Sequence, residues 1–460
     1  MLSDLPPEIH DAIFRVLEVA DFHSLRLASR QLEQRSRAAF GAAAFSTLRV
    51  DFSRDNLEWL ADVSSREDFR LAVREWQIGN WSGRGNDWKH SREIALGDDG
   101  HWPRTEGGRL DLNSPLVQQF TQMLLQFPNC TSATVTDQRA RLSYHPRTIN
   151  SGPEESLTSA DAVELMLYAS SVPEAPGLQR FRIRVSRDLD WNPPGAISKA
   201  TIASAQNSWT THLQELVLEF PAESDRDNGD NLLHLLTSSS NLKTLRLKWN
   251  AEFGSGGYTL TRHLDKFPDF APPLETLLLG TLTLAESDVL RLLMSCRDTL
   301  SSLNFYIVKL RSGSWKNILE FLYDTPFQGL RRLSMYACND GSEGDYMAFC
   351  PLWKNQQLRG SCGGTFEFGR SRTGRRGDRG NRPVVLQLHI TGFLFETKEG
   401  APAMNSALRA CIENSHRAPS TYDPSPPCAH FTELRKVSQV TPFNRSEPYT
   451  EWTGLPRLWS

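Results

Sequence analysis

The sequence predicts an α/β protein. A short helical unit stands at the front, followed by an irregular solenoid of strand–helix copies around a mostly parallel sheet. Three observations lead there. Residues 5–44 place apolar side chains at helical spacing, interrupted by prolines and short polar joints. Between Leu178 and Met335 the pattern L-x-x-L-x-L, or a near variant, occurs six times. The stretches between those copies carry helical periodicity. Strand, loop and helix recurring about every 30 residues form units that must stack to bury their apolar faces.

The totals agree with an ordinary folded chain. Over 460 residues, 39% hydrophobic and 23% charged side chains allow a substantial core. The formal charge of -3 gives no global field to draw in nucleic acid or an anionic membrane. The first residues lack a basic segment leading into an apolar one, and no apolar run approaches the ~18 residues that span a bilayer. Seven cysteines, widely spaced and without C-x-x-C, point to free thiols in a reduced compartment, cytoplasmic and/or nuclear.

The front unit is expected over residues 1–45. Ser3 or Asp4 can cap a first helix, with Pro6 or Pro7 in its first turn. Ile9, Ile13, Val16 and Leu17 form its stripe, widened by Phe14. Asp21 is the next cap candidate, before a second stripe of Phe22, Leu25, Ala28 and Leu32. Gln34 to Ala44 is a third, alanine-rich helix candidate. Below about 40 residues a helical unit needs outside support, from the body or from another protein.

Leu5-Pro6-Pro7-Glu8-Ile9, then Ile13, Leu17, Asp21-Phe22 and Leu25 to Leu32, resembles an F-box in order and spacing. The resemblance implies a helical hook that docks on a Skp-type adaptor and, through it, on a cullin ubiquitin ligase. It carries over Leu5, Pro6, Ile9, Ile13, Leu17, Leu25, Ala28 and Leu32 as adaptor-facing positions. The sequence departs from the family pattern at three places. Ala20 stands where Pro is common, Ala28-Ser29 where Val-Cys is common, and Leu32 where Trp is common. The competing reading is an intramolecular cap on the body.

Residues 46–113 are expected as a linker and a long Gly- and Trp-rich loop, with Trp81, Trp88 and Trp102 between Gly79 and Pro115. The body is expected over 114–360. Val117 to Phe127 reads as helix, and Ala133 to Val135 as a possible strand. The copies start at Leu178, Leu213, Leu242, Leu274, Leu300 and Leu330. Asn231–Leu236, Ser287–Met294 and Trp315–Tyr323 are the intervening helices. The body resembles leucine-rich repeats in an irregular form; the usual Asn or Cys after the strand is mostly absent, although Cys338 and Asn250 stand near its place. An F-box followed by such repeats is a pairing common in fungal proteins. The alternative is an ordinary α/β domain with right-handed crossovers.

Residues 361–383 are rich in Gly and Arg, and disorder is expected there, with 369–382 dispensable for folding. Residues 384–460 are expected to hold one more strand over Pro383–Phe395, a helix over Ala401–Ser415 and a tail of little pattern.

Catalytic signatures are not found. The sequence has no G-x-S-x-G, no Gly-Lys pair for a P-loop and no H-E-x-x-H. Asp225-x-Asp227-x-Gly229 departs from a calcium loop in its glycine position and lacks the twelfth-position Glu, so it reads as a solvated turn. Cys350, Cys362 and His389 have no zinc spacing. Asp188 and Asp190 form a carboxylate pair with no further partner in view. The expectation is therefore a non-enzyme without metal or cofactor, and the F-box resemblance implies the substrate-recognition subunit of a cullin-type ligase, holding an unknown target on its repeat surface. A repeat scaffold unconnected with ubiquitin is the first rival. RNA binding through the Gly/Arg segment is the second, with nucleic acid not the expected partner.

Overall fold

A computed structural model describes residues 5–50, 54–79, 102–106, 109–136, 159–184, 212–221, 236, 239–250, 272–336, 338–340, 345–348, 364–368, 384–389, 392–396, 401–414 and 416–418. It is of the α/β class, with helices around a mostly parallel sheet. It divides into two compact units, Met1–Leu242 and Lys243–Ser460.

The first unit opens with three helices. α1 (Pro7–Phe14) begins on a proline, whose missing N–H is one that no helix start satisfies internally. α2 (Val19–Ala28) begins one turn earlier than Asp21 suggests. Asp21 is its third residue, and its carboxylate accepts from the Glu18 N–H at 3.1 Å. α3 (Arg30–Phe45) follows after a single extended residue, Ser29.

β1 (Thr47–Val50) then starts the sheet, directly after α3. α4 (Arg54–Ser65) and α5 (Glu67–Arg70) lead to β2 (Glu75–Gly79). The stretch expected as linker therefore holds two strands and two helices; its residues 51–53, 80–101 and 107–108 lie outside the described residues. α6 (Pro115–Leu125) and β3 (Ser132–Thr136) occupy the places the sequence suggests. α7 (Ser159–Ser171), β4 (Arg180–Arg184) and β5 (Glu215–Pro221) complete the unit. Strands β1 to β5 are parallel, each beside its predecessor in the chain. Trp76, Ala133, Phe181 and Leu216 stand in register on the buried face. The small Ala133 leaves room between two large rings.

The second unit holds β6 (Thr244–Asn250), β7 (Thr276–Gly280), β8 (Thr283–Ala285), α8 (Glu286–Ser295), β9 (Ser302–Tyr306), β10 (Lys309–Ser312), α9 (Trp315–Asp324) and β11 (Arg332–Tyr336). β6, β7, β9 and β11 are parallel neighbours. Their buried rows are Leu245, Leu277, Leu303 and Leu333, then Leu247, Leu279, Phe305 and Met335. β12 (Asn339–Asp340), β13 (Asp345–Ala348) and β17 (His416–Ala418) join β8 and β10 in a second, small sheet.

Two expectations for the end of the chain change. Residues 364–368, placed in the disordered segment, form β14 (Gly364–Phe368), antiparallel to β15 (Val384–His389). The single strand expected over 383–395 is a hairpin of β15 and β16 (Gly392–Glu396), with β16 antiparallel to β11. α10 (Ala401–Asn414) is the expected helix. Residues 369–382 and the tail lie outside the described residues, as does the Asn231 helix apart from the buried Leu236.

One backbone device repeats along the sheet. A carbonyl just before each strand accepts two N–H bonds from the next copy. Ser46 accepts from Arg74 and Glu75, Arg74 from Thr131 and Ser132, and Thr131 from Gln179 and Arg180. Gln179 accepts from Gln214 and Glu215. In the second unit Lys243, Glu275 and Ser301 do the same for the following strand. The leucine that opens each of the six copies is buried. Val73 and Cys130 occupy the same position before β2 and β3 and are also buried. The repeating geometry thus extends upstream of Leu178, into copies whose side chains hide it.

The copies before and after it both complete the start of α9. Asp340 Oδ1 accepts from the Trp315 N–H at 2.8 Å, and Glu286 Oε2 accepts from the Ser314 N–H at 2.6 Å. Gly313 (φ 91°) sits against Glu286, where a Cβ would collide with that side chain.

Candidate functional site

The front helices do not bury the stripe expected of them. α1 ends at Phe14, so Val16 and Leu17 lie beyond it. Its buried residues are His10 and Phe14. His10 stacks on Phe14, Phe14 meets Phe22, and Phe22 meets Phe40 with centroids 5.6, 5.9 and 6.1 Å apart. Arg26 lies 4.3 Å over the Phe40 ring and binds Glu33, holding α2 on α3. Arg37 bonds Glu33 at 3.0 Å and holds its carboxyl below the ordinary value. The chain of rings continues into the body: Phe40 and Phe45 both reach Phe69 of α5, at 6.1 and 4.4 Å.

This aromatic core leaves aliphatic surface outside. Eight large apolar side chains are notably exposed among the described residues, and four fall within the short span Ile9 to Leu27. They are Ile9 (47%), Val16 (79%), Val19 (38%) and Leu27 (90%). Of the adaptor-facing positions implied by the F-box resemblance, Pro6, Ile9 and Ala28 are exposed, and Leu5, Ile13, Leu17 and Leu25 are half-buried. Leu32, at 6% exposure, is buried within the unit. Val16 and Leu27 are the contributors that the family pattern did not mark: Val16 belongs to the first stripe, and Leu27 is an apolar residue outside both.

The second candidate surface is the outward face of the sheet, opposite the buried leucines. In the first unit it carries charges closed on one another. Arg182 binds Glu215 through two nitrogens at 3.0 and 3.1 Å and approaches Glu75 at 3.9 Å. Thr134 donates to Glu75 at 2.8 Å. The long side chains of β2 and β4 thus close over the short ones of β3, and both faces of β3 are buried. In the second unit the outward face carries Lys248, Tyr306 and Tyr336 in one register row. The two rings stack at 5.5 Å, and Lys248 Nζ lies 5.8 Å from the Tyr306 centroid.

Reactive chemistry is not assembled among the described residues. They hold no cluster of three metal-ligating side chains. Cys130, Cys296, Cys338 and Cys411 are free and buried. Burial pushes the thiols of Cys296, Cys338 and Cys411 up to about 12, and that of Cys130 up as well, so they stay protonated and poorly nucleophilic. Cys338 holds its thiol 3.6 Å from the Tyr336 carbonyl. Trp102 is buried against Phe120, while Trp81 and Trp88 lie outside the described residues. Asp188, Asp190, Asp225, Cys350 and Cys362 also lie outside them. No described helix is long and apolar enough to cross a membrane.

No family model matches the sequence, and no curated protein matches it.

Proposed function

We propose that the chain is the target-binding subunit of a cullin-type ubiquitin ligase. The front helices act as the hook for a Skp-type adaptor, and the sheet acts as the surface that holds a target protein. The observation that carries this reading is the concentration of exposed aliphatic side chains between Ile9 and Leu27, on a unit whose own core is already filled by rings. Exposed apolar side chains, where they gather on one surface, favour a protein contact. The chain itself does no chemistry in this reading. It raises the local concentration of the target's lysines at the charged ubiquitin carrier, in the cytoplasm or nucleus. The body is read as an irregular leucine-rich-repeat-like solenoid, supported by parallel strands taken in chain order and by the repeating carbonyl device.

Adaptor pull-down and thermal unfolding on the same samples test it. Leu5→Ala with Pro6→Ala, and separately Ile9→Asp, should each weaken adaptor capture by about thirtyfold, the scale of a central anchor worth ~2 kcal/mol. The melting temperature should not move. Wild-type protein that captures no adaptor at micromolar concentration ends the reading.

A second reading has its own observation. Phe40 and Phe45 pack on Phe69, so α3 closes the end of the first unit as a cap would. If capping is the whole role, in a repeat scaffold unconnected with ubiquitin, the same substitutions lower the melting temperature and affect no ligase partner.

A further inference from the structure

We infer that the first unit withholds side-chain amines from the ubiquitin carrier, so that self-modification of the chain is confined to the second unit, with Lys243, Lys309 and Lys316 as exposed acceptors. The inference rests on the reading above that the chain is a ligase subunit. The inventory of cations is its first support. The sequence holds ten lysines and 41 arginines. The two units divide them unequally. Residues 1–242 hold 22 arginines and two lysines, and residues 243–460 hold 19 arginines and eight lysines. A general preference for arginine would weigh on both alike. The first 88 residues, which include the hook, hold 11 arginines and no lysine. The two exceptions in the first unit, Lys89 and Lys199, lie outside the described residues.

Geometry explains only part of the choice. Arg26 lies over the Phe40 ring, and Arg182 meets Glu215 through two nitrogens. Arg104 meets Asp161 in the same way, at 3.2 and 2.8 Å. A planar guanidinium suits these places better than an ammonium. Other arginines have no such duty. Arg15, Arg30, Arg109 and Arg180 are exposed and make no side-chain bond among the described residues. A lysine would serve solubility there equally well. What separates the two side chains at such places is reactivity. In ubiquitin transfer a lysine amine attacks the thioester carbonyl of the charged carrier. The N–C bond forms, the C–S bond breaks, and the amine proton goes to the departing thiolate. A guanidinium stays protonated and does not attack. A chain fixed to the ligase shares its effective concentration with the target, so each of its own amines competes for the same thioester. In the second unit such amines are present. Lys243 and Lys316 pair with Glu275 and Glu320 at 3.0 and 3.7 Å, yet 51% and 57% of their side chains stay in solvent. Surface pairs of this kind release an amine readily. Lys309 is exposed as well.

The test uses the full chain with adaptor, cullin and thioester-charged carrier, and no target. Ubiquitin remnants on lysine are mapped by mass spectrometry. Wild-type remnants should fall at residue 243 and beyond. Lys243→Arg, Lys309→Arg and Lys316→Arg together should remove most of them. Arg109→Lys with Arg180→Lys puts two amines on the first unit at exposed positions that make no side-chain bond. Thermal unfolding should not move, and both introduced amines should acquire remnants. Introduced amines left unmodified in a chain that captures adaptor would overturn the inference, because amines there were never at risk. So would wild-type remnants at Lys89 or Lys199 as abundant as those beyond residue 243, or remnants undiminished in the triple variant. Adaptor capture in the same samples keeps the two readings apart. Failure to capture ends the ligase reading and this inference with it, whereas capture with any of the overturning maps ends this inference alone.

Discussion

The front helices and the sheet copies use the same kinds of side chain in opposite ways. In the copies, aliphatic residues alternate and disappear: Leu245, Leu277, Leu303 and Leu333 are each about 1% exposed or less. In the front helices the aromatics are inside, and Ile9, Val16, Val19 and Leu27 remain in solvent. The difference follows from what each region can lean on. Each sheet copy has a neighbour presenting the same row, so its leucines are covered by repetition. The front unit has the body on one side only, through Phe40, Phe45 and Phe69.

Four measurements would break or sharpen that contrast, each read as a shift in chemical denaturation. Phe305→Ala should have the largest effect. Phe305 is buried and meets Trp315 edge-on at 4.8 Å, so truncation should destabilise by about 3–5 kcal/mol.

Alkaline pH comes next. Cys296, Cys338 and Cys411 are held near 12 in the folded state, above the ordinary thiol value of 9.0. The unfolded chain loses these protons first. Stability should therefore be full below pH about 9 and fall as pH rises towards about 12, by at most ~1.4 kcal/mol per pH unit for each thiol. Cys411→Ala should flatten the decline; a pH-independent midpoint between about 8 and 10 would contradict the burial argument.

Asp340→Ala should cost about 1–2 kcal/mol, because it removes the carboxylate from the start of α9. Leu27→Asp should do least, within ~0.5 kcal/mol, since the side chain is 90% exposed. If Leu27→Asp were as damaging as Phe305→Ala, the two regions would not differ in the way described.

The sequence made the second unit legible because its copies use leucine at each key position and because α8 and α9 have clear periodicity between turn residues. It hid the first copies because Val73, Trp76 and Ile78 fill the positions of L-x-x-L-x-L, and Cys130, Ala133 and Val135 do so before β3. The backbone device needs only a buried side chain of suitable size there, not leucine. β14 was masked by composition: Thr365 to Phe368 alternate as a strand should, but glycines and arginines surround them. The β15–β16 hairpin was hidden because Ile390-Thr391 carries none of the residues that usually mark a turn. At the hook, periodicity located three helices but not their buried side. His10 and Phe14 won the inside because rings on three helices can meet there, and that is a tertiary fact.

The borrowed carboxylate at α9 sets an order of events on the ribosome. Trp315 is synthesised 25 residues before Asp340, the group that completes its helix start. Until Asp340 has left the exit tunnel, the first turn of α9 lacks that acceptor, however well the helix's apolar face is already seated. Glu286 is made 28 residues before Ser314 and waits ready for it. The same helix start is thus met by one residue already made and by one still to come. A chain truncated just before residue 340 would therefore keep only one of the two carboxylate acceptors at the start of α9.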